Sequence, residues 1–240
     1  EMVVAGVRSS HSGGDFTPNW VQFAAHTEAK WSHYRQEKHH RWSLDRRQIE
    51  QYQLEKALSP EIRWWEAMEI APRAIQLLEH PDGHTVSSLV CEDLAHMDDA
   101  VELLRSIGPT LILGLLLDGP QLASRWTSRY AGILADDPGS AVLTLSSYGM
   151  VRRSWHSGQT ASSTIALWKD HNRGAQEITL ATGAHGVLLT TDLKPTLRRA
   201  ADGRQPEPDA AELTYVGTTQ IVVPPGRRRR RHTGPDSSPR

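Results

Sequence analysis

The sequence predicts a layered α/β fold with strands parallel in part and antiparallel toward the end. Short apolar runs without helical period, Thr85 to Cys91 and Thr110 to Leu117, alternate with amphipathic stretches, Asp98 to Ile107 and Gln121 to Leu134. The joints between them are short and carry turn residues such as Gly108-Pro109. The nearly all-apolar run from Thr110 reads as a strand covered on both faces.

Taken in order, Met2 to Val7 reads as a buried strand and Ser9 to Asp15, with Gly13-Gly14, as a loop. Trp20 to Ala25 alternates as a second strand, and Trp31 to His39 is its hairpin partner across a polar turn near Thr27-Glu28, which leaves Lys38 at a strand exit. Asp45 to Leu58 turns helical, with Ile49, Tyr52 and Leu54 among charges, and a second helix runs from Pro60 to about Glu79. His80-Pro81-Asp82-Gly83 breaks it before the strand Thr85 to Cys91. In the helix Asp98 to Ile107, Val101, Leu103 and Leu104 face inward. Strands follow at Ala141 to Ser146, Thr164 to Trp168, Gln176 to Ala181 and Gly186 to Thr191. Residues 200–211 form a linker, Leu213 to Val223 a last strand, and 225–240 a disordered Arg-rich tail.

The 240 residues allow one large domain, assigned to 1–224. The net charge of −1 hides an asymmetry, since residues 226–240 hold six Arg and one Asp while the rest carries 21 basic against 27 acidic residues. No apolar run approaches the ~20 residues of a membrane span, so a membrane partner is excluded at this level. The single cysteine, Cys91, excludes an intramolecular disulfide framework and a Cys-rich zinc site. With no signal peptide visible, a cytoplasmic protein is expected, and the opening on Glu1 leads to the expectation of an upstream segment.

Cys91 carries the chemistry. A lone cysteine is usually a small core hydrophobe, but this one ends a buried strand just before a helix, where open α/β folds place reactive groups. Glu92-Asp93 follow directly, and two carboxylates at the end of a buried strand point to a polar cleft.

Val90-Cys91-Glu92-Asp93-Leu94 resembles the nucleophile segment of the nitrilase or carbon–nitrogen hydrolase superfamily, where a Cys-x-Asp step ends a strand. Upstream, Asn19 to Phe23 and then Tyr34-Arg35-Gln36-Glu37-Lys38-His39-His40 resemble the family's hairpin, whose second strand ends at an essential lysine. The resemblance covers about residues 1 to 192 and implies a nitrilase-like α-β-β-α sandwich with mixed parallel and antiparallel sheets and flanking helices.

It further implies an amidase-like hydrolase acting on a small-molecule, non-peptide amide or nitrile, without metal or organic cofactor. The Cys91 thiolate would attack the substrate carbon and pass through a thioester. The Lys38 ammonium and the Glu92 backbone N–H would stabilise the oxyanion, while Asp93 would fix the turn after the nucleophile. Homo-oligomerisation through the helices flanking Cys91, with apolar faces at Val101-Leu104 and Ile133-Leu134, is also implied.

The sequence departs from the family's pattern in three places. The family's general base is a Glu several tens of residues ahead of the lysine, and Glu1 and Glu28 are badly placed for it. Leu94-Ala95-His96-Met97-Asp98 replaces the common Phe-Pro-Glu, and Ser146-Ser147-Tyr148-Gly149 stands where an Asn three residues before Gly is usual. Glu50 is the nearest residue for the family's second Glu, yet its charged surroundings read as an exposed helix face. The competing class is therefore a catalytically degraded domain on the same fold, serving as an interaction or regulatory module.

Other signals are weaker. Arg227 to Arg231 could neutralise phosphates, but without interleaved aromatic residues they read as a solvated tail, the one route by which nucleic acid would be a partner. His39-His40, and His80 with His84, invite a metal reading. His80 and His84 span a turn in which helical i,i+4 geometry fails, so they read as solvated loop histidines and no metal is expected. Trp64-Trp65 could face a pocket or an oligomer contact but read as core or helix packing.

Overall fold

The computed structural model of the chain describes residues 2–8, 19–27, 30–68, 73–96, 98–155, 161–196 and 211–224. Glu1, the loop Ser9 to Asp15, Glu28, Met97, residues 200–210 of the linker and the tail lie outside them.

The first three strands form an antiparallel sheet, of which the hairpin of the second and third was expected: β1 (Met2–Arg8), β2 (Asn19–Thr27) and β3 (Lys30–Glu37), ordered β1-β2-β3. There follow β4 (Ser43–Leu44), α1 (Arg46–Gln51), β5 (Trp64–Trp65), β6 (Leu78–Glu79) and β7 (Thr85–Val90). A 3-10 turn, Cys91–Ala95, leads to α2 (Asp99–Ile107), β8 (Leu111–Leu116), α3 (Trp126–Asp136), β9 (Ala141–Ser146) and α4 (Tyr148–Arg153). The chain closes with β10 (Thr164–Lys169), β11 (Gln176–Thr179) and the long ribbon of β12 (Gly186–Pro195) and β13 (Ala211–Ile221).

The larger sheet is ordered β11-β10-β9-β8-β7-β6; β7, β8 and β9 run parallel and the outer pairs antiparallel. Its central strands are buried on both faces, as the apolar runs required. On one face Leu89, Ile112, Leu116 and Val142 pack with Val101 and Leu104 of α2 and Ala131 and Leu134 of α3. On the other, Val86, Val90, Leu113 and Leu115 meet Val21 and Phe23 of the three-stranded sheet. The ribbon packs farther along, through Val187, Leu189, Leu213 and Tyr215 against Ala166 and Trp168.

The molecule is thus mixed α/β, with helices, a mixed sheet and an antiparallel sheet in successive layers. The outer face of the small sheet, carrying Val3 and Trp31, is exposed.

Several elements differ from the sequence reading. The helix expected from Pro60 to Glu79 is absent among its described residues. The backbone groups a helix would need are spent elsewhere: Leu44 and Trp64 pair across strands and Glu66 N–H donates to Trp42 O at 2.8 Å. The helix at Asp45 is well started by a capping box between Asp45 and Gln48 but ends at Gln51, because Gln53 takes a left-handed conformation at φ 53°. The helix expected from Gln121 starts at Trp126, since Gln121 N–H is held by Thr164 O at 3.1 Å. Leu103 points outward and is 47% exposed, while Val101 and Leu104 enter the core as expected. α2 stops at Gly108, whose φ of 65° suits glycine and lets its N–H reach Leu104 O.

Candidate active site

Parallel strands bring the site together at their carboxyl ends. β7 delivers Cys91 and β8, paired beside it, delivers Leu117 and Asp118. From the facing sheet, β3 delivers Lys38, whose N–H extends the ladder by one bond to Asn19 O at 2.8 Å. Cys91 itself has φ 51°, a left-handed conformation that costs an L-residue roughly 1–2 kcal/mol and turns the chain sharply out of the strand.

Lys38 is buried at 3% exposure, and its ammonium is ion-paired with the carboxylate of Glu66. The same carboxylate accepts hydrogen bonds from Trp42 N–H at 3.0 Å and from the side-chain amide of Asn19. Burying the ammonium demands such a partner, because an unpaired buried charge costs several kcal/mol.

Asp93 is buried at 1% exposure and joins the exit of β3 to the turn after Cys91. Its oxygens accept His39 N–H at 3.1 Å and His40 N–H at 2.9 Å, and the ring Nδ1 of His40 lies 2.9 Å away. The other ring nitrogen of His40 lies 2.7 Å from Asp98, and the ring stacks on His96 at 4.0 Å. Partial burial opposes ionisation of Asp98, but His40 and Arg73 beside it hold its carboxyl below the usual carboxylate range. Glu92 is half-buried, with its carboxylate 3.8 Å from His96.

Burial pushes the Cys91 thiol up to about 11. The Lys38 ammonium and the Leu117 N–H, which donates to the sulfur, work against that rise, whereas Asp118 and Glu66 add to it. Asp118 is tied down by many donors: Arg125 at 2.8 Å, Trp126 Nε1 at 3.1 Å, Gly119 N–H at 2.7 Å and the Tyr52 hydroxyl. Burial, and then the charge and hydrogen bond of Asp118, raise the Tyr52 phenol well above its ordinary value. Ser146 donates its hydroxyl to Asp118 O at 2.6 Å and accepts from Asp118 N–H at 3.2 Å.

No protein-family model matches the chain, and no curated protein matches it. Solved structures do. One is a cysteine-to-alanine mutant of the Nesterenkonia AN1 amidase from the nitrilase superfamily, 12% identical, covering 74% of this chain and 57% of that chain with a TM-score of 0.43. Another is a CN-hydrolase superfamily protein from Xanthomonas campestris with an arsenic adduct in its active site, 13% identical, covering 92% of this chain and 63% of that chain with a TM-score of 0.40. The chain is similar to nitrilase-superfamily structures. It spans less than two thirds of the length of either protein.

All four residues singled out from the nitrilase-like motifs, Lys38, Cys91, Glu92 and Asp93, lie in this one region. Glu66 is the residue the sequence reading misses. Glu50, nearest in sequence for a second Glu, is an exposed side chain on α1 with Arg46 as its neighbour at 3.9 Å. A helix over 60–79 would give Glu66 no direction toward Lys38; the adjacent Trp64-Trp65, without helical period, is the sign in the sequence that Glu66 belongs to an extended segment.

Proposed function

We propose that the chain is a cysteine-dependent hydrolase of carbon–nitrogen bonds in small, non-peptide amides or nitriles. The observation that supports it most is the sulfur of Cys91 at the end of a parallel strand in a left-handed turn, under the field of a buried Lys38 held by Glu66. On an amide, the sulfur forms a bond to the carbonyl carbon and the oxygen takes the negative charge beside the Lys38 ammonium. The C–N bond then breaks, the amine leaves with the proton that came from the thiol, and a thioester remains. Water completes the cycle by forming the acid, and its proton returns to the sulfur. Glu66 positions Lys38, and Asp93 keeps the Cys91 turn in register with the exit of β3.

A second reading, a degraded domain serving as an interaction or regulatory module, is favoured by one observation. The thiol is protonated at neutral pH, and the carboxylates that act on it, Glu66 and Asp118, are both engaged by other donors. Ammonia release from a panel of small amides and nitriles, compared among the wild type, Cys91→Ala and Lys38→Ala, separates the two. The hydrolase reading expects release that both substitutions remove; release unaffected by Cys91→Ala overturns it.

A second copy of the chain is proposed as a partner. Since Val101, Leu104 and Leu134 are spent on the chain's own sheet, the contact would fall on the exposed Leu103 and Ile107 of α2. Among the described residues, no helix is long and apolar enough to cross a membrane.

A further inference from the structure

The turn between β6 and β7 brings His80, Asp82 and His84 together. Its two strands are paired through only two residue pairs, Leu78 with Val86 and Glu79 with Thr85. Beyond them, His80 N–H donates to His84 O and Gly83 N–H to His80 O, both at 2.8 Å, so the histidines stand opposite one another across a tight turn. Gly83 supplies the positive φ of 89° that this turn needs, with open space where a Cβ would sit.

The side chains converge on one point. Asp82 Oδ1 lies 2.7 Å from His80 Nδ1 and 2.5 Å from His84 Nδ1, and the imidazoles stack with centroids 4.5 Å apart. One ligand atom from each residue lies within 4.8 Å of the others. Helical i,i+4 spacing is therefore unnecessary for the pair of histidines: the antiparallel turn makes them cross-strand neighbours.

We propose that His80, Asp82 and His84 form a binding site for a zinc-class divalent transition metal, separate from the Cys91 site. Two imidazole nitrogens and a carboxylate oxygen are a borderline donor set suited to such an ion at about 2.0–2.2 Å, with water completing a tetrahedron. Asp82 Oδ1 already lies close to both imidazole nitrogens, and side-chain rotation on a backbone closed by its own hydrogen bonds would set the three ligand atoms at metal distance. Bound metal would clamp a hairpin whose own ladder is short and would stiffen the strand that ends at Cys91.

Calorimetric titration of the full chain with zinc chloride at neutral pH, in a non-chelating buffer, tests this. One ion per chain is expected to bind, with at least a tenfold loss of affinity in Asp82→Asn and loss of the site in the double variant His80→Asn, His84→Asn. His96→Asn and Cys91→Ser, which alter one imidazole outside the turn and the thiol, should leave this binding intact. Thermal unfolding gives a second readout, since a hundredfold excess of zinc over Kd should raise Tm by several degrees in the wild type and not in the double variant. Absence of binding up to millimolar zinc, or binding indifferent to the double variant, overturns the proposal. Either result leaves the hydrolase reading untouched, because no step of that chemistry passes through this turn.

Discussion

The ammonium of Lys38 and the carboxylate of Glu66 form an ion pair at the inner end of β3, although 28 residues separate them in sequence. Lys38 is almost wholly enclosed, so its charge is tolerated only with that partner. Glu66→Ala should therefore destabilise the fold by about 3 kcal/mol, and Glu66→Gln, which retains an acceptor, by less. In a double-mutant cycle by urea denaturation, Lys38→Met combined with Glu66→Leu should cost less than the two single changes added together. Full additivity would mean that the pair is not coupled.

Asp93 accepts several backbone and side-chain hydrogen bonds while buried. Asn at this position offers one oxygen where two are used and turns an N–H toward donors, so Asp93→Asn should cost about 2–4 kcal/mol. Denaturation measures the cost, and alkylation of Cys91 should change with it because the turn at Cys91 is built on this carboxylate. A variant as stable as the wild type would remove Asp93 from this role.

These two carboxylates show how far the sequence could be read. Asp93 was legible because it sits two residues from Cys91, and local spacing places it on the turn. The strand alternation of Val21 and Phe23 and the apolar run Leu111 to Leu116 were legible because burial on one face or two leaves a period in the sequence. Glu66 was not, since its position depends on pairing of β5 with β4, a two-residue contact too short to leave any period. His80 and His84 were legible as a pair but were set aside on helical spacing, because their geometry comes from a turn closed by backbone hydrogen bonds.

Reactivity of Cys91 should climb with pH. With the thiol pushed up to about 11, the thiolate fraction grows about tenfold per pH unit, so iodoacetamide alkylation should be roughly a hundredfold faster at pH 9 than at pH 7 and level off near 11. Lys38→Met removes the charge that opposes the rise and should slow alkylation at every pH below the plateau. The linkage has a definite sign: the folded thiol holds its proton more tightly than the unfolded one, so this contribution to stability is present below the unfolded value near ~8.5 and is lost as pH rises to about 11. Cys91→Ala should abolish that part of the alkaline stability loss. A plateau already reached at pH 8 would contradict the burial of the sulfur.

The left-handed conformation of Cys91 predicts an unusual order of stabilities. Glycine accepts this φ without a Cβ clash, so Cys91→Gly should be more stable than Cys91→Ala by about 1 kcal/mol, the reverse of the order in an ordinary helix or strand. Thermal or urea unfolding of the two variants decides it, and Ala above Gly would mean that the backbone relaxes.

Turnover on unactivated amides should be slow for the 240-residue chain. A thiol mostly protonated at neutral pH needs a base, as does the water that hydrolyses the thioester, and Lys38 as an ammonium supplies neither. Ammonia release well below the typical enzyme range of about 1–1000 per second is expected. A rate within that range would place the base inside the chain, with Glu66 the first candidate.

Acylation by an activated ester tests the nucleophile most directly, because a p-nitrophenyl ester leaves without needing a proton. A burst of one p-nitrophenolate per chain is expected, with an acyl group found by peptide mass spectrometry on Cys91, slow release of that group, and loss of both burst and label in Cys91→Ala. A label on another residue, or a burst that survives Cys91→Ala, would contradict it.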